Sequence, residues 1–391
     1  MTVPPIDTQS GDARPSPETV AAQALGRIDL STGAIIPPIH PSTTFERDAD
    51  LGYARGRVYS RVDNPTYDAP ADTLTALEGG SQTLLFGSGM AAATAAFQAL
   101  SPGDHVVAPK VMYWALRAWL LGFATRWGLA VDLADMSDLE EVKAALRPGR
   151  TKLVWLESPA NPLWSVADIA AIAALAHEAG ARLAVDSTVA TPVLTRPLAL
   201  GADLVMHSAT KYLGGHSDVV AGTLTTAARD DYWDRVRQVQ AQNGGVLGPF
   251  EAWLLQRGMR TLFARVRWQC ASALTLARTL AAHDGIVQVL YPGLEDFSGH
   301  DLAARQMQGG FGGMLSVRVK GGEAVAVAVA GRLRLWKRAT SLGGVESLVE
   351  HRASIEGPTS PVPKDLLRLS VGLEAAADLI ADFDQALDAA R

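Results

Sequence analysis

The sequence predicts an α/β protein in which a mainly parallel sheet covered by helices is followed by a smaller α+β domain. Three observations point there. At 391 residues the chain exceeds the usual size of one hydrophobic core. From about residue 62 to 255, short apolar runs alternate with helix-periodic stretches. Beyond about 255 that alternation stops.

The apolar runs are Thr83–Phe86, His105–Ala108, Lys152–Leu156, Arg182–Val185 and Asp203–Met206. Continuous apolar runs of this length read as strands buried on both faces, which is the habit of parallel sheets. Helix-like pieces lie between them at 89–100, 137–146 and 166–179. Long helices over roughly 251–282 come next, then an alternating strand over 312–319 and a last helix over 374–390. Residues 1 to about 60 show little periodicity, and Ile35-Ile36-Pro37-Pro38-Ile39-His40-Pro41 cannot be a helix interior. They read as an extended apolar arm that needs a surface to lie on, such as another subunit. The expected division is an arm at 1–61, a large domain at 62–254 and a small domain at 255–391.

Composition narrows the function. The chain is 48% hydrophobic and 19% charged, as expected of a globular protein with ample core. A net charge of -6 argues against nucleic acid or an anionic membrane as partner. The single cysteine, Cys270, excludes an internal disulfide and a cysteine metal cluster; its helical context reads as a small core residue. The first twenty residues contain Asp7, Asp12 and Glu18 and lack an apolar h-region, so they do not read as a secretory signal. No apolar run reaches the roughly twenty residues that span a bilayer. A cytoplasmic protein is expected.

Ligands of such sheets bind beyond the carboxyl ends of the strands. Chemically active residues do follow the predicted strands: Ser88 and Gly89, then Glu157-Ser158-Pro159-Ala160-Asn161-Pro162, then Asp186-Ser187-Thr188, then His207 to Lys211. Of the seven lysines, Lys211 alone ends an apolar strand. Such a lysine is either a snorkelling side chain or an amine made nucleophilic by partial desolvation. Asp186 reads either as a cap for the next helix or as a carboxylate facing a protonated pyridine nitrogen. The turn Gly87-Ser88-Gly89-Met90 is either a plain strand-to-helix turn or a phosphate cradle at a helix N-terminus. It lacks the Lys-Ser/Thr of a P-loop and the third glycine of a dinucleotide fingerprint. Together the pieces supply an amine, a ring partner and a phosphate cradle at neighbouring strand ends.

These residues sit in a longer series of ordered motifs. The series includes Tyr59-Ser60-Arg61 with Asn64-Pro65-Thr66, then Leu77-Glu78-Gly79-Gly80 and the Ser88 turn. It continues through Ser208-Ala209-Thr210-Lys211-Tyr212, Gly215-His216-Ser217-Asp218, Ser341-Leu342-Gly343-Gly344 and Arg368-Leu369-Ser370-Val371-Gly372. From about residue 34 to the C-terminus the chain resembles the Cys/Met-metabolism (transsulfuration) enzymes that use pyridoxal 5′-phosphate (PLP). That group includes cystathionine γ-synthase, cystathionine γ-lyase, cystathionine β-lyase and methionine γ-lyase. The resemblance implies the aspartate aminotransferase-like PLP-dependent transferase fold (fold type I), with 62–254 as the PLP-binding domain.

It also implies roles. Lys211 forms the Schiff base with PLP and then shuttles protons. Asp186, with Thr188 beside it, pairs with the pyridine nitrogen, and Asn161 lies near the ring's 3-oxygen. Ser88, Gly89, Met90, Ser208 and Thr210 hold the phosphate, helped by Tyr59 and Arg61 of a neighbouring subunit. Tyr113 stacks on the ring. Arg368, Ser341 and Asn161 receive the substrate α-carboxylate, with Tyr59 and Thr340 at the substrate side. The implied assembly is a homotetramer of two dimers that share active sites.

The implied reaction is γ-elimination or γ-replacement on a sulfur-containing or activated homoserine-type L-amino acid. Departures from the family pattern bear on which. Trp114 follows Tyr113 where small residues are common, and the cysteine of methionine γ-lyases is absent there. Ser341-Leu342 replaces the Ser-Trp of cystathionine β-lyase, and Thr340 stands where γ-synthases and γ-lyases carry a glutamate. Ser187 replaces an Asn, and Arg352 replaces a proline after His351. β-Elimination of cystathionine, methionine or canavanine-like γ-elimination and, more distantly, transamination are the alternatives. A PLP-fold binding protein without turnover is the reading from another class, and retention of Lys211, Asp186, Tyr113 and Arg368 speaks against it.

Overall fold

Among the residues that the computed structural model describes, 15–356 and 362–390, the chain builds two sheets. Asp7 and Asp12, and with them the start of the expected arm, lie outside the described residues. The larger sheet holds β1 (Gln82–Phe86), β2 (His105–Pro109), β3 (Ala130–Ala134), β4 (Thr151–Glu157), β5 (Arg182–Asp186), β6 (Leu204–His207) and β7 (Gly222–Thr226). Its strand order is β1-β7-β6-β5-β4-β2-β3. Five strands from β6 to β3 run parallel, whereas β7 is antiparallel to both β6 and β1. The expected mainly parallel sheet is therefore present, with an antiparallel insertion at one side.

Two of these strands are not among the expected ones, for different reasons. β3 is an edge strand whose side chains are mostly half-buried, so no apolar run marks it. β7 is fully buried but threonine-rich. Thr225 satisfies its hydroxyl against Thr83 across the β1–β7 pair at 2.8 Å, so a polar residue is tolerated inside.

The smaller sheet contains β8 (Ile286–Leu290), β9 (Met314–Val319), β10 (Lys337–Arg338), β11 (Leu348–His351) and β12 (Leu366–Ser370), in the order β10-β11-β12-β9-β8. The long helical region consists of two helices, Pro249–Met259 and Leu262–Ala281. The sequence division at 255 falls inside the first of them, whose Ala252, Leu255 and Met259 belong to the core around Tyr212 and Leu213. The second helix joins the two cores. Val266 and Cys270 pack with that first core, while Ala273, Leu276, Ala277 and Leu280 pack against the smaller sheet. Cys270 is a buried core residue, as its context indicates.

The N-terminal segment differs from a uniformly extended arm. Pro17–Gln23 is a helix, started by Ser16, whose Oγ accepts from Thr19 N–H at 3.4 Å, and by proline in the first turn. Val20, Ala21 and Leu25 pack on Leu77 and Phe263 of the same chain. Farther along, Ile35 is 74% exposed and Ile36 42%. Among the described residues no helix is long and apolar enough to cross a membrane.

A buried arginine fixes the turn after Lys211. Arg265, 4% exposed, donates Nη1 to Tyr212 O and Nη2 to Gly258 O, each at 2.8 Å, and Nε to Thr261 Oγ1 at 3.0 Å. Gly215 is required beside it. Its φ is +71°, and a Cβ there would lie 2.0 Å from Arg265 Nη1. Arg265→Met strips two buried carbonyls of their donor, so we expect a loss of roughly 2–5 kcal/mol. Thermal unfolding of the apoprotein checks this; an unchanged midpoint would mean that the guanidinium does not hold the turn.

Candidate active site

A cavity of about 410 Å³ opens beyond the carboxyl ends of β1, β4, β5 and β6 and is closed on its other side by residues of the smaller sheet region. Ser88 leaves β1 and caps the helix Gly89–Gln98, accepting from Ala91 N–H at 3.1 Å. Gly89 must lack a side chain, because a Cβ would lie 2.8 Å from both Cβ and Oγ of Ser208. That close approach sets the helix N-terminus beside Ser208 at the end of β6. Free N–H groups and the positive end of the helix dipole there suit a phosphate.

Asp186 ends β5 without capping the next helix, since the helix Thr191–Leu194 begins after Ala190. Its Oδ1 accepts from Thr188 N–H at 3.0 Å and from the Thr188 hydroxyl at 2.5 Å. The same hydroxyl oxygen accepts from Ser208 N–H at 2.8 Å, tying the ends of β5 and β6 together. Both bonds to Asp186 reach Oδ1, so Oδ2 is left for a ligand in the cavity.

Beside Asp186, in register on β4, lies Glu157. Its Oε2 accepts from Tyr113 N–H and its Oε1 from Asn161 N–H, each at 2.8 Å. Glu157 thereby anchors two walls of the cavity. Burial raises the proton affinity of both carboxylates, and the charge of Asp186 adds to the effect on Glu157. Two buried carboxylates side by side are relieved by protonation of Glu157 or by a cation facing Asp186, a position that would suit a protonated pyridine nitrogen.

Lys211 Nζ donates to Ser341 Oγ at 2.8 Å. Burial, with the nearby charge of Arg368, lowers its pKa to about 8, against the opposing pull of Glu350. Arg368 on β12 is 4% exposed and donates Nη2 to Ser341 O at 2.8 Å and Nη1 to Asn161 Oδ1 at 3.3 Å. Ser341 holds both groups at once, with a left-handed φ of 87° that side chains seldom adopt. Thr210 also lines the cavity, where its Oγ1 exchanges hydrogen bonds with the Ala221 backbone.

The cavity thus brings together Ser88, Gly89, Met90, Tyr113, Asn161, Asp186, Thr188, Ser208, Thr210, Lys211, Thr340, Ser341 and Arg368. Tyr59 and Arg61 do not line it. Tyr59 is 44% exposed, and Arg61 donates to Ala241 O at 2.9 Å with its guanidinium over the Tyr59 ring. The sequence places Glu157 among the strand-end residues but assigns it no role, although it ends an apolar strand as Asp186 does. It also leaves out Glu350, whose only signal is an acid in an otherwise buried strand.

An amine, a carboxylate receptor, a helix N-terminus and a buried carboxylate around one cavity fit the aldehyde, the substrate carboxylate, the phosphate and the ring of PLP. They define the class: a PLP enzyme of amino-acid metabolism. Comparison with known proteins narrows this. The family model described as Cys/Met metabolism PLP-dependent enzyme matches residues 18–388. The chain is 46% identical over 378 residues to a cystathionine gamma-synthase of Mycobacterium bovis, covering 95% of this chain and 96% of that one. It is 41% identical over 368 residues to a cystathionine beta-lyase of Lactococcus lactis, covering 92% and 96%. The structure of cystathionine gamma synthase from Xanthomonas oryzae pv. oryzae, in complex with aminoacrylate and cysteine, matches with a TM-score of 0.92 at 37% identity, covering 97% and 99%. The chain belongs to the Cys/Met-metabolism PLP-dependent enzymes, and PLP is its cofactor.

The lowered pKa of Lys211 gives a pH test. Only the neutral amine attacks the cofactor aldehyde, so the rate of PLP uptake by the apoprotein should rise with pH and level off above about 8. Stopped-flow absorbance reads this directly. A rate still climbing toward the ordinary lysine value of roughly 10.4 would show that the cavity does not desolvate the amine.

Proposed function

We propose that this enzyme carries out γ-type chemistry on an L-amino acid with a leaving group at Cγ, with replacement by the sulfur of cysteine as its main reaction. The geometry around Ser341 carries the first step, proton removal at Cα: its hydroxyl accepts from Lys211 Nζ and its carbonyl from Arg368 Nη2, each at 2.8 Å. A substrate whose carboxylate meets Arg368 has its Cα within reach of the amine. The relatives support γ- over β-chemistry, the γ-synthase being the more similar of the two reported.

PLP, when bound, supplies the electron sink for carbanions formed next to the substrate amine. Lys211 holds the cofactor and, once released, takes the proton from Cα and then carries one from Cβ. Arg368 and Ser341 fix the carboxylate with Asn161, and a guanidinium fork suits that task. Asp186, braced by Thr188, keeps the ring nitrogen protonated. Ser88, Gly89, Met90, Ser208 and Thr210 hold the phosphate, while Tyr113 covers the ring face. Thr340 borders the substrate's distal part. In the replacement, the Cγ–O bond of an activated homoserine breaks and a Cγ–S bond forms. The acyl carboxylate departs, and the thiol proton passes to solvent.

The same proposal takes Tyr59 and Arg61 as contributions to a neighbouring subunit's site, Tyr59 also facing the substrate. The active form is then a homotetramer of two dimers, working in the cytoplasm. Exposed Ile35 and Ile36 support a covering partner for this arm.

Two measurements test the proposal. The protein should be yellow, and the visible band should vanish in Lys211→Ala; a colourless protein after PLP addition would sink it. Incubation with O-succinyl- or O-acetylhomoserine and cysteine should yield cystathionine. Pyruvate and homocysteine from cystathionine as the dominant outcome would instead make the enzyme a β-lyase.

A further inference from the structure

The proposed carboxylate receptor has a competitor built into its own sheet. Glu350 on β11 is the direct cross-strand partner of Arg368 on β12. Its Oε2 lies 2.6 Å from Arg368 Nη2, and both side chains are only 5% exposed. Register fixes this pairing, so Glu350 cannot be moved away from the arginine without breaking the sheet. A carboxylate facing a guanidinium tends to bind it through both oxygens, fork on fork. Here that does not happen. Glu350 reaches Arg368 through Oε2 alone, and the same oxygen accepts from Arg352 Nη1 at 2.7 Å.

Arg352 is itself 4% exposed and borders the cavity. Its Nη2 is held by Glu356 one turn along the helix Arg352–Glu356. The result is a chain of alternating charges, Glu356, Arg352, Glu350 and Arg368, that ends at the cavity. Glu350 therefore shares its Oε2 between Arg352 and Arg368. Among the described residues, Arg368 Nε has no acceptor and Nη1 has only the 3.3 Å contact to Asn161. Donor capacity is therefore left for a ligand.

We propose that Arg352 is a positioning residue that restrains Glu350 and so keeps the Arg368 fork open to the substrate's α-carboxylate. This rests on the proposed role of Arg368. Without Arg352, the whole charge of Glu350 falls on Arg368, and the substrate must displace it. The site then loses affinity for the carboxylate without losing its affinity for the amine.

The test uses the PLP-loaded protein and two probes that differ by the carboxylate: glycine and methylamine, each titrated by the change in the cofactor's absorbance. In Arg352→Met the dissociation constant for glycine should rise about tenfold while that for methylamine stays put. Arg352→Lys should recover part of the loss. The double variant Arg352→Met with Glu350→Gln should return toward the parent, because the competing charge is gone. With substrate, KM should rise in Arg352→Met while kcat holds. Equal glycine affinity in Arg352→Met and the parent, or a double variant as weak as the single one, overturns the proposal. Arg368→Lys serves as the reference: loss of glycine affinity there with none in Arg352→Met rejects the restraint alone. No loss in either rejects the role of Arg368 and the restraint together. Should Arg352→Met fail to load PLP, Glu350→Gln alone decides. Tighter glycine binding supports the restraint, and unchanged or weaker binding overturns it.

Discussion

The register of β4, β5 and β6 is the constraint on which the site depends. Glu157 pairs with Asp186, and Asp186 with Met206, so the ends of three parallel strands are level. Adjacent strands lie about 4.8 Å apart. Residues far apart in sequence therefore meet at one edge of the sheet without any loop having to reach for them. A slip of one residue in β5 would turn Asp186 to the opposite face and leave the cavity floor apolar. The same alignment allows the Thr188 hydroxyl to serve Asp186 and Ser208 together.

The site also depends on a second sheet. Asp186 and Lys211 come from the larger sheet's region, whereas Ser341, Glu350 and Arg368 come from the smaller. The distance between amine and guanidinium is then a matter of how the two sheets are mounted. Helix Leu262–Ala281 answers it by lying in both cores, with Val266 and Cys270 in one and Leu276 and Leu280 in the other. Gln269 in its middle donates to Gly344 O at 2.8 Å and to Val371 O at 3.0 Å. Its neighbour Arg265 grips the turn after Lys211. One helix thus holds the segments that carry both partners of Ser341.

How much of this the sequence disclosed follows from which physical signals are local. Lys211 and Asp186 stand out because a charged residue ending a buried strand needs a reason to be there. The inner parallel strands β2, β4, β5 and β6 stand out because burial on both faces writes a continuous apolar run, which the edge strand β3 lacks. β7 escapes that signal because it is rich in threonine, and Thr225 meets its hydroxyl partner, Thr83, on β1. The helix Pro17–Gln23 carries its signal openly in Ser16, Pro17 and Glu18, but a short cap beside so many prolines reads as part of an arm. Glu350 gives only a faint signal of this kind, an acid within a buried strand. Its meaning lies in the residue opposite it on β12, and pairing between strands is not written in the periodicity of either one.

Charge is distributed unevenly along the cavity, and the unevenness suits the ligands. One end carries Glu157 and Asp186, whose burial makes them poor places for negative charge unless a cation arrives. The other carries Lys211 and Arg368, whose burial disfavours positive charge, a cost that Glu350 offsets only in part at Arg368. In the proposed function a protonated ring would relieve the first end and an α-carboxylate the second. Each end is thus costly when alone and stable when filled, so desolvation itself selects a ligand that is cationic at one end and anionic at the other. Glu350 and Arg352 fit the same logic, since together they moderate the charge of Arg368 without cancelling it. A site built in this way binds through the relief of its own desolvated charges.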